Sequence, residues 1–158
     1  MFKKILVPLD GSKFAIDALK LAIEIAKPFH SQITLLHVGS LKTLLPLNRY
    51  ERTQQVTSEE ITQFIALARE AGFMILAQGR QLVEDSEISV KTIFKEGHPA
   101  LEIVRIAKNG GFNLIVLGAK GVSHIKELRL GGTSEQIARN APCTIMLYKP
   151  TNLAKLAK

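Results

Sequence analysis

A chain of 158 residues, 46% hydrophobic and 22% charged, has the size and apolar content of one globular domain with a substantial core, which excludes a disordered chain. The formal net charge of +7 comes from scattered lysines and arginines with no tryptophan and no basic run interleaved with aromatics, so a solvated basic surface is expected and not a nucleic-acid reader. The single cysteine excludes an intrachain disulfide and a cysteine-built zinc site, and no apolar run is long enough to span a bilayer.

The chain opens with "MFKKILVPLDGS", whose apolar stretch is too short for a signal peptide and is soon followed by Asp10. It reads as a first strand, Lys3–Leu9, in a cytosolic protein. Gln32–Val38, "QITLLHV", reads as a second. Both have the continuous hydrophobic character of strands buried on two faces, as in a parallel sheet. Between them Ser12 suits a helix N-cap, and Ala15, Ala18, Leu19, Ala22, Ile25 and Ala26 recur at helical spacing. Pro28 is placed just beyond the end of that helix. Strand, helix and strand with short connections form a βαβ unit.

Gly39 to Thr57 reads as a longer connection around Pro46. From Ser58 a long helical pattern follows, with Ile61, Phe64, Ile65, Ala68, Gly72, Ile75, Leu76, Gly79, Leu82 and Val83 on its inner face. Glycines on a buried stripe imply close approach to a sheet; a break near Gly72 is the competing reading. Ser89–Lys95 reads as a third strand. "GHPALEIVRIAKNGG" reads as a helix with His98 at its entry, Pro99 in its first position and Gly110-Gly111 ending it. "NLIVL" is a fourth strand, Thr133 to Asn140 a fourth helix broken by Pro142, and "CTIMLY" a fifth strand. Cys143 beside that strand reads as a small core residue. Residues 1–150 are expected to form a single domain and 151–158 a short tail. Alternating strands and helices imply a three-layer α/β fold with a mostly parallel sheet.

In such folds ligands sit outside the carboxyl ends of the strands, where strand order reverses. "PLDGS" after the first strand and "GAKGVSHIKELRLGGTSE" after the fourth both belong at that edge, and face one crevice if those strands are neighbours. The second stretch holds Gly118, Gly121, Gly131 and Gly132. It is neither a GxxxxGK[ST] phosphate loop nor a GxGxxG dinucleotide fingerprint. It offers glycines that let a ligand approach and permit positive φ, then a helix start whose amides attract phosphate, with Thr133 and Ser134 as hydroxyl donors. By spacing alone, turn-making and phosphate binding are equally good accounts of these glycines.

The chain resembles the universal stress protein family over nearly its whole length. The matching pieces, in order, are "ILVPLDGS", "LLHV", "GHPALEIVRIAKNGGFNLIVLGAKG" and "GGTSEQIARNAPCTIMLYK". The resemblance implies a three-layer α/β/α Rossmann-like fold, of the adenine nucleotide alpha hydrolase-like type, with a five-stranded parallel sheet. It also implies a homodimer that binds an adenine nucleotide and acts as a stress-response sensor or binding module. On this likeness Pro8, Leu9 and Asp10 flank the nucleoside, with Asp10 near the ribose or a phosphate-bound Mg or Mn ion. Val38 and Leu117 meet the adenine. The loop Gly118, Ala119, Lys120, Gly121, Val122, Ser123 and His124 wraps the ribose and phosphates. Gly131, Gly132, Thr133 and Ser134 hold the outer phosphates.

The family's ATP-binding branch carries G-x2-G-x9-G-[ST], and here Gly132 stands where the hydroxyl residue belongs. A lost hydrogen bond to a charged group is worth about 1.5–3 kcal/mol, so ATP binding is expected to be weakened, and AMP or ADP to be affected less. No residue has the setting of a general base, so at most slow ATP hydrolysis is expected and no catalytic residue is assigned. Histidines and carboxylates do not cluster at ligand spacing, so Asp10 is the only protein ligand expected for a metal. Ser12 reads as a cap and not as a nucleophile, since no Gly-x-Ser-x-Gly elbow surrounds it. The alternative is a dimeric interaction protein of the same fold that does not bind nucleotide. In either case Thr144–Tyr148 is the expected dimer edge, with no membrane or nucleic-acid partner.

Overall fold

The computed structural model describes residues 1–40, 57–120 and 130–149. The expected connection between Gly39 and Thr57 falls mostly outside them, as do Gly121 to His124 and the tail.

The elements in chain order are β1 (Lys4–Pro8), α1 (Lys13–Phe29), β2 (Gln32–Gly39), α2 (Ser58–Glu84), β3 (Val90–Glu96), α3 (Pro99–Asn109), β4 (Leu114–Gly118), α4 (Gly132–Asn140) and β5 (Thr144–Tyr148). The five strands form one parallel sheet in the order β3-β2-β1-β4-β5. β1 therefore pairs with both β2 and β4, and the strand order reverses between β1 and β4. The expected five-stranded α/β architecture is present.

β1, β2 and β4 alternate their buried side chains between two helical layers, as the pleat requires. Ile5, Val7, Ile33, Leu35, Leu114 and Val116 pack against Leu19 and Ala22 of α1 and Leu76 and Val83 of α2. Leu6, Leu36, Ile115 and Leu117 pack on the other face against Ile103 and Ala107 of α3 and Ile137 of α4. β4 is buried along its whole length. Sheets of this kind read as continuous apolar runs because both faces are covered.

Local chemistry sets the helix ends. Ser12 accepts a hydrogen bond from the Ala15 amide at 3.2 Å and caps α1. Pro28, expected beyond α1, lies inside its last turn. Proline removes one donor there, and the helix closes one residue later because His30 adopts a left-handed conformation and its amide reaches the Ala26 and Lys27 carbonyls. Thr57 and Glu60 form a reciprocal capping box at the start of α2. Pro99 occupies the first turn of α3, and His98 precedes it without a side-chain cap.

α2 runs unbroken through Gly72 and Gly79. A methyl group on Gly79 would lie 2.5 Å from Leu9 Cδ1, and one on Gly72 2.5 Å from Phe94 Cε2 and 2.6 Å from His37 Cδ2. Both glycines let the helix lie against the sheet, and the break is not found. Phe64, placed on the inner face by its spacing, is instead 41% exposed. Of the predicted stripe, Gly72, Leu76, Gly79 and Val83 are buried. Ile61, Ile65, Ala68, Ile75 and Leu82 are half-buried. No helix among the described residues is long and apolar enough to cross a membrane.

Candidate functional site

A crevice of about 460 Å³ opens where the strand order reverses. That is the size of a small-molecule site and the place where open α/β sheets bind ligands. Besides Ala15 of α1, its walls come from five parts of the chain. Pro8, Leu9 and Asp10 follow β1; Leu36 to Ser40 close β2; Ala68, Ala71, Gly72 and Ile75 come from α2; Pro99 and Ile103 from α3; and Leu117, Gly118, Lys120, Gly131, Gly132, Thr133, Ser134 and Ile137 from β4 and α4.

The expected site residues Pro8, Leu9, Asp10, Val38, Leu117, Gly118, Lys120 and Gly131 to Ser134 thus share one cavity. Ala119 does not line it: it is 4% exposed, and its backbone ties neighbouring segments together. Its amide donates to the Tyr148 carbonyl at 2.8 Å, and its carbonyl accepts from the Gly131 amide at 2.9 Å. That second bond closes the neck of the glycine loop. Gly121, Val122, Ser123 and His124 lie outside the described residues.

The glycines owe their identity to different causes. Gly118 was expected to clear a path for a ligand. A methyl group there would instead meet Phe14 of α1, 2.8 Å from its Cβ and 2.9 Å from its carbonyl carbon, so this glycine serves the packing of α1 on β4. Gly132 has open space where a side chain would go. Positive φ, expected of the loop glycines, is not found at Gly118, Gly131 or Gly132; Gly11, in the turn after β1, has φ 82°. Gly11 makes the turn after Asp10, and the Asp10 carboxylate accepts from the Ser12 amide at 2.9 Å.

Gly131 is the N-cap of α4, with extended φ and ψ and no side chain to satisfy the first turn. The amides of Gly132, Thr133 and Ser134 are therefore among the unpaired donors of the helix start, where the helix dipole favours negative charge. The Ser134 hydroxyl was expected to face phosphate; it is 5% exposed and donates to the Gly118 carbonyl at 2.9 Å. Thr133 is exposed and lines the crevice, so its hydroxyl is the one left on this turn for a ligand.

Two contributors escaped the sequence reading. α2 presents small residues, Ala68, Ala71 and Gly72, to the cavity, and its spacing marked only an apolar face. His37 also lines the crevice. Its Nδ1 lies 2.8 Å from the Leu9 carbonyl, an acceptor, so Nδ1 carries the proton, and the ring stacks on Phe94 with centroids 5.8 Å apart. Among the described residues Asp10 is the only carboxylate lining the crevice, and no group of three metal-ligating side chains is found. Cys143, half-buried against the α3–α4 layer, lies outside the crevice lining, and burial pushes its thiol pKa up.

Comparison with known proteins follows the same outline. The model of the universal stress protein family matches residues 1–149. Universal stress protein YxiE of Bacillus subtilis is 30% identical over 149 residues, covering 94% of this chain and all of that protein. The solved structure of MJ0577, a universal stress protein of Methanocaldococcus jannaschii, superposes with a TM-score of 0.77 at 28% identity, covering 96% of this chain and 99% of its own. Two more distant structures share the fold. A universal stress protein from Arabidopsis thaliana with AMP bound has a TM-score of 0.66 at 16% identity, covering 96% of this chain and 94% of its own. A universal stress protein in complex with cAMP has a TM-score of 0.68 at 17% identity, covering 95% and 99%.

Proposed function

The chain belongs to the universal stress protein family, and from that premise we propose that its crevice binds an adenine nucleotide and that the protein acts as a cytosolic stress-response binding module. The observation that carries the reading is the position of the α4 start. Its unpaired amides and the Thr133 side chain open into an apolar cavity at the strand-order switch, with Asp10 on the same cavity wall. An adenine fits the apolar portion beside Val38, Ile103 and Leu117. A ribose hydroxyl suits Asp10, and a phosphate suits the α4 amides. AMP and cAMP in the two distant relatives agree with a site built for an adenosine carrying a phosphate.

Gly132 withholds a hydroxyl from the outer phosphates, and the Ser134 hydroxyl hydrogen is engaged with Gly118. These residues favour AMP and ADP over ATP. If a Mg or Mn ion accompanies the phosphates, Asp10 is the side chain able to hold it, and the ion would neutralise phosphate charge. Calorimetric titration with AMP, ADP and ATP, with and without Mg²⁺, tests the reading. Binding of AMP at least as tight as that of ATP is expected. No heat with any of the three would leave the same fold acting as an interaction protein.

We also propose a homodimer paired through β5. Ile145 to Tyr148 are only half-buried, and β5 is the last strand on its side of the sheet. Pairing with its own copy would cover that edge in a closed arrangement.

A further inference from the structure

We propose that the groove along the open edge of β3 is a docking site for an acidic, extended segment of another protein, which joins the sheet beside β3. This site lies apart from the nucleotide crevice and does not depend on it. The groove, about 630 Å³, runs along Val90 to Lys95 and reaches over the ends of β1, β2 and α3. Lys4, Arg80, Lys91, Lys95 and Arg105 line it, and among the described residues no carboxylate does. Arg80 is paired with Glu84 at 2.7 Å and Arg105 with Glu102 at 2.6 Å, so those charges are offset from outside the groove. Lys4 donates to the Gly110 carbonyl at 3.0 Å, which leaves its charge uncompensated. Lys91 and Lys95 are exposed and have no ion-pair partner among the described residues. On the α3 side of β3 the groove is therefore a positive site, carried by Lys4, Lys91 and Lys95, over an apolar floor of Ile93, Ile106 and Phe112.

The backbone supplies the second half of the case. β3 is the last strand on its side of the sheet. The Ile33 amide donates to the Ser89 carbonyl and the Gly97 amide to the Gly39 carbonyl, so the odd-numbered residues of this strand turn their backbone toward β2. Parallel ladders alternate, and Val90, Thr92 and Phe94 consequently turn their N–H and C=O groups outward. Strand addition uses such a row for affinity and takes specificity from side chains beside it. Lysines on an edge strand also repel a second copy of the same edge. The charge that keeps a like edge away draws an acidic one. A nucleic acid would want stacking rings, and among the described residues Phe112 is the only aromatic lining the groove.

Fluorescence anisotropy of the full chain with a labelled peptide of about eight alternating aspartate and valine residues tests the proposal. Saturable binding that weakens with added salt is expected. Lys91→Glu with Lys95→Glu should weaken it at least about tenfold. Lys20→Glu with Lys27→Glu, the same change in net charge on α1, should leave it within about twofold. Thr92→Pro removes one outward amide while sparing the β2 ladder, and should weaken binding with the salt dependence unchanged. Three results would overturn the idea: no saturable peptide binding at low salt, equal losses in the two charge-reversal pairs, or tighter binding of an oligothymidylate than of the peptide.

Discussion

The Ser134 hydroxyl donates to the carbonyl of Gly118 at 2.9 Å, so the end of β4 and the first turn of α4 are joined across the neck of the glycine loop. The bond is buried and joins two segments that line the crevice. Ser134→Ala leaves the Gly118 carbonyl without this donor and should cost about 1–3 kcal/mol in stability. Urea unfolding of the two proteins measures it. AMP affinity of the folded variant should fall as well, because the helix start is less firmly held; unchanged midpoint and affinity would show that the bond does neither.

Gly118 is constrained from behind by Phe14. Gly118→Ala should destabilise the fold by about 1–3 kcal/mol through overpacking. The close atoms at Phe14 are its backbone and Cβ, so Phe14→Ala should not rescue the variant. Rescue in a denaturant melt of the double variant would move the clash to the ring.

Gly132 has room for a side chain. Gly132→Ser should tighten ATP by about tenfold to a hundredfold, in line with one charge-assisted hydrogen bond, and leave AMP nearly unchanged. Calorimetry on both nucleotides separates these effects. An equal change in both would show that position 132 does not face the phosphate chain.

The β5 edge can be tested at the right amides. The Ala119 amide donates to the Tyr148 carbonyl, so the even-numbered residues of β5 bond to β4, and Ile145 and Leu147 face outward. Leu147→Pro should therefore dissociate the dimer with the sheet intact, whereas Met146→Pro attacks the β4 ladder itself. Ile145→Lys should also favour the monomer. Sedimentation at micromolar concentration decides it, and a wild-type monomer would remove this interface.

Cys143 should be a slow nucleophile. Burial raises its thiol pKa, so at neutral pH it carries less thiolate than an ordinary cysteine. Iodoacetamide should modify the native protein more slowly than the unfolded chain, with the rate still rising as the pH passes the ordinary thiol range. Native and unfolded rates that match at neutral pH would contradict this.

The buried strands were legible because burial on both faces leaves unbroken apolar runs, as in "NLIVL", and the α1 start was legible because Ser12 precedes a helical period. Pro28 misled because proline usually marks a boundary, while a left-handed His30 can close the helix after it. Phe64 misled because α2 is wound more broadly with apolar residues than the sheet has area to cover, and spacing cannot say which stripe wins. The crevice was half legible: "PLDGS" and the Gly131 region converge because β1 and β4 are neighbours, which strand order alone decides. The cause of Gly118 could not be read, since Phe14 lies far from it in the chain. Ala68 and Ala71 carry no motif, and His37 lies inside "LLHV", where Val38 alone was assigned to the site; they enter the cavity through the packing of α2 on β2.

The strand order also divides the chain into two parts that meet late. β1, β2 and β3 can assemble from neighbouring stretches, but β4 must return from far along the sequence to find β1, and closing a long loop makes that pairing slow. The crevice straddles this seam. Asp10 and Val38 stand on one side of it, and Leu117 and Thr133 on the other. A nucleotide seated there would be a rivet between two halves, and could bind only after both had met. At a hundred times its dissociation constant such a rivet adds about 2.7 kcal/mol to the resistance against opening. The lifetime of this protein against proteolysis would then follow the nucleotide supply of its surroundings, so that a cell's energy state is written into how long the chain survives.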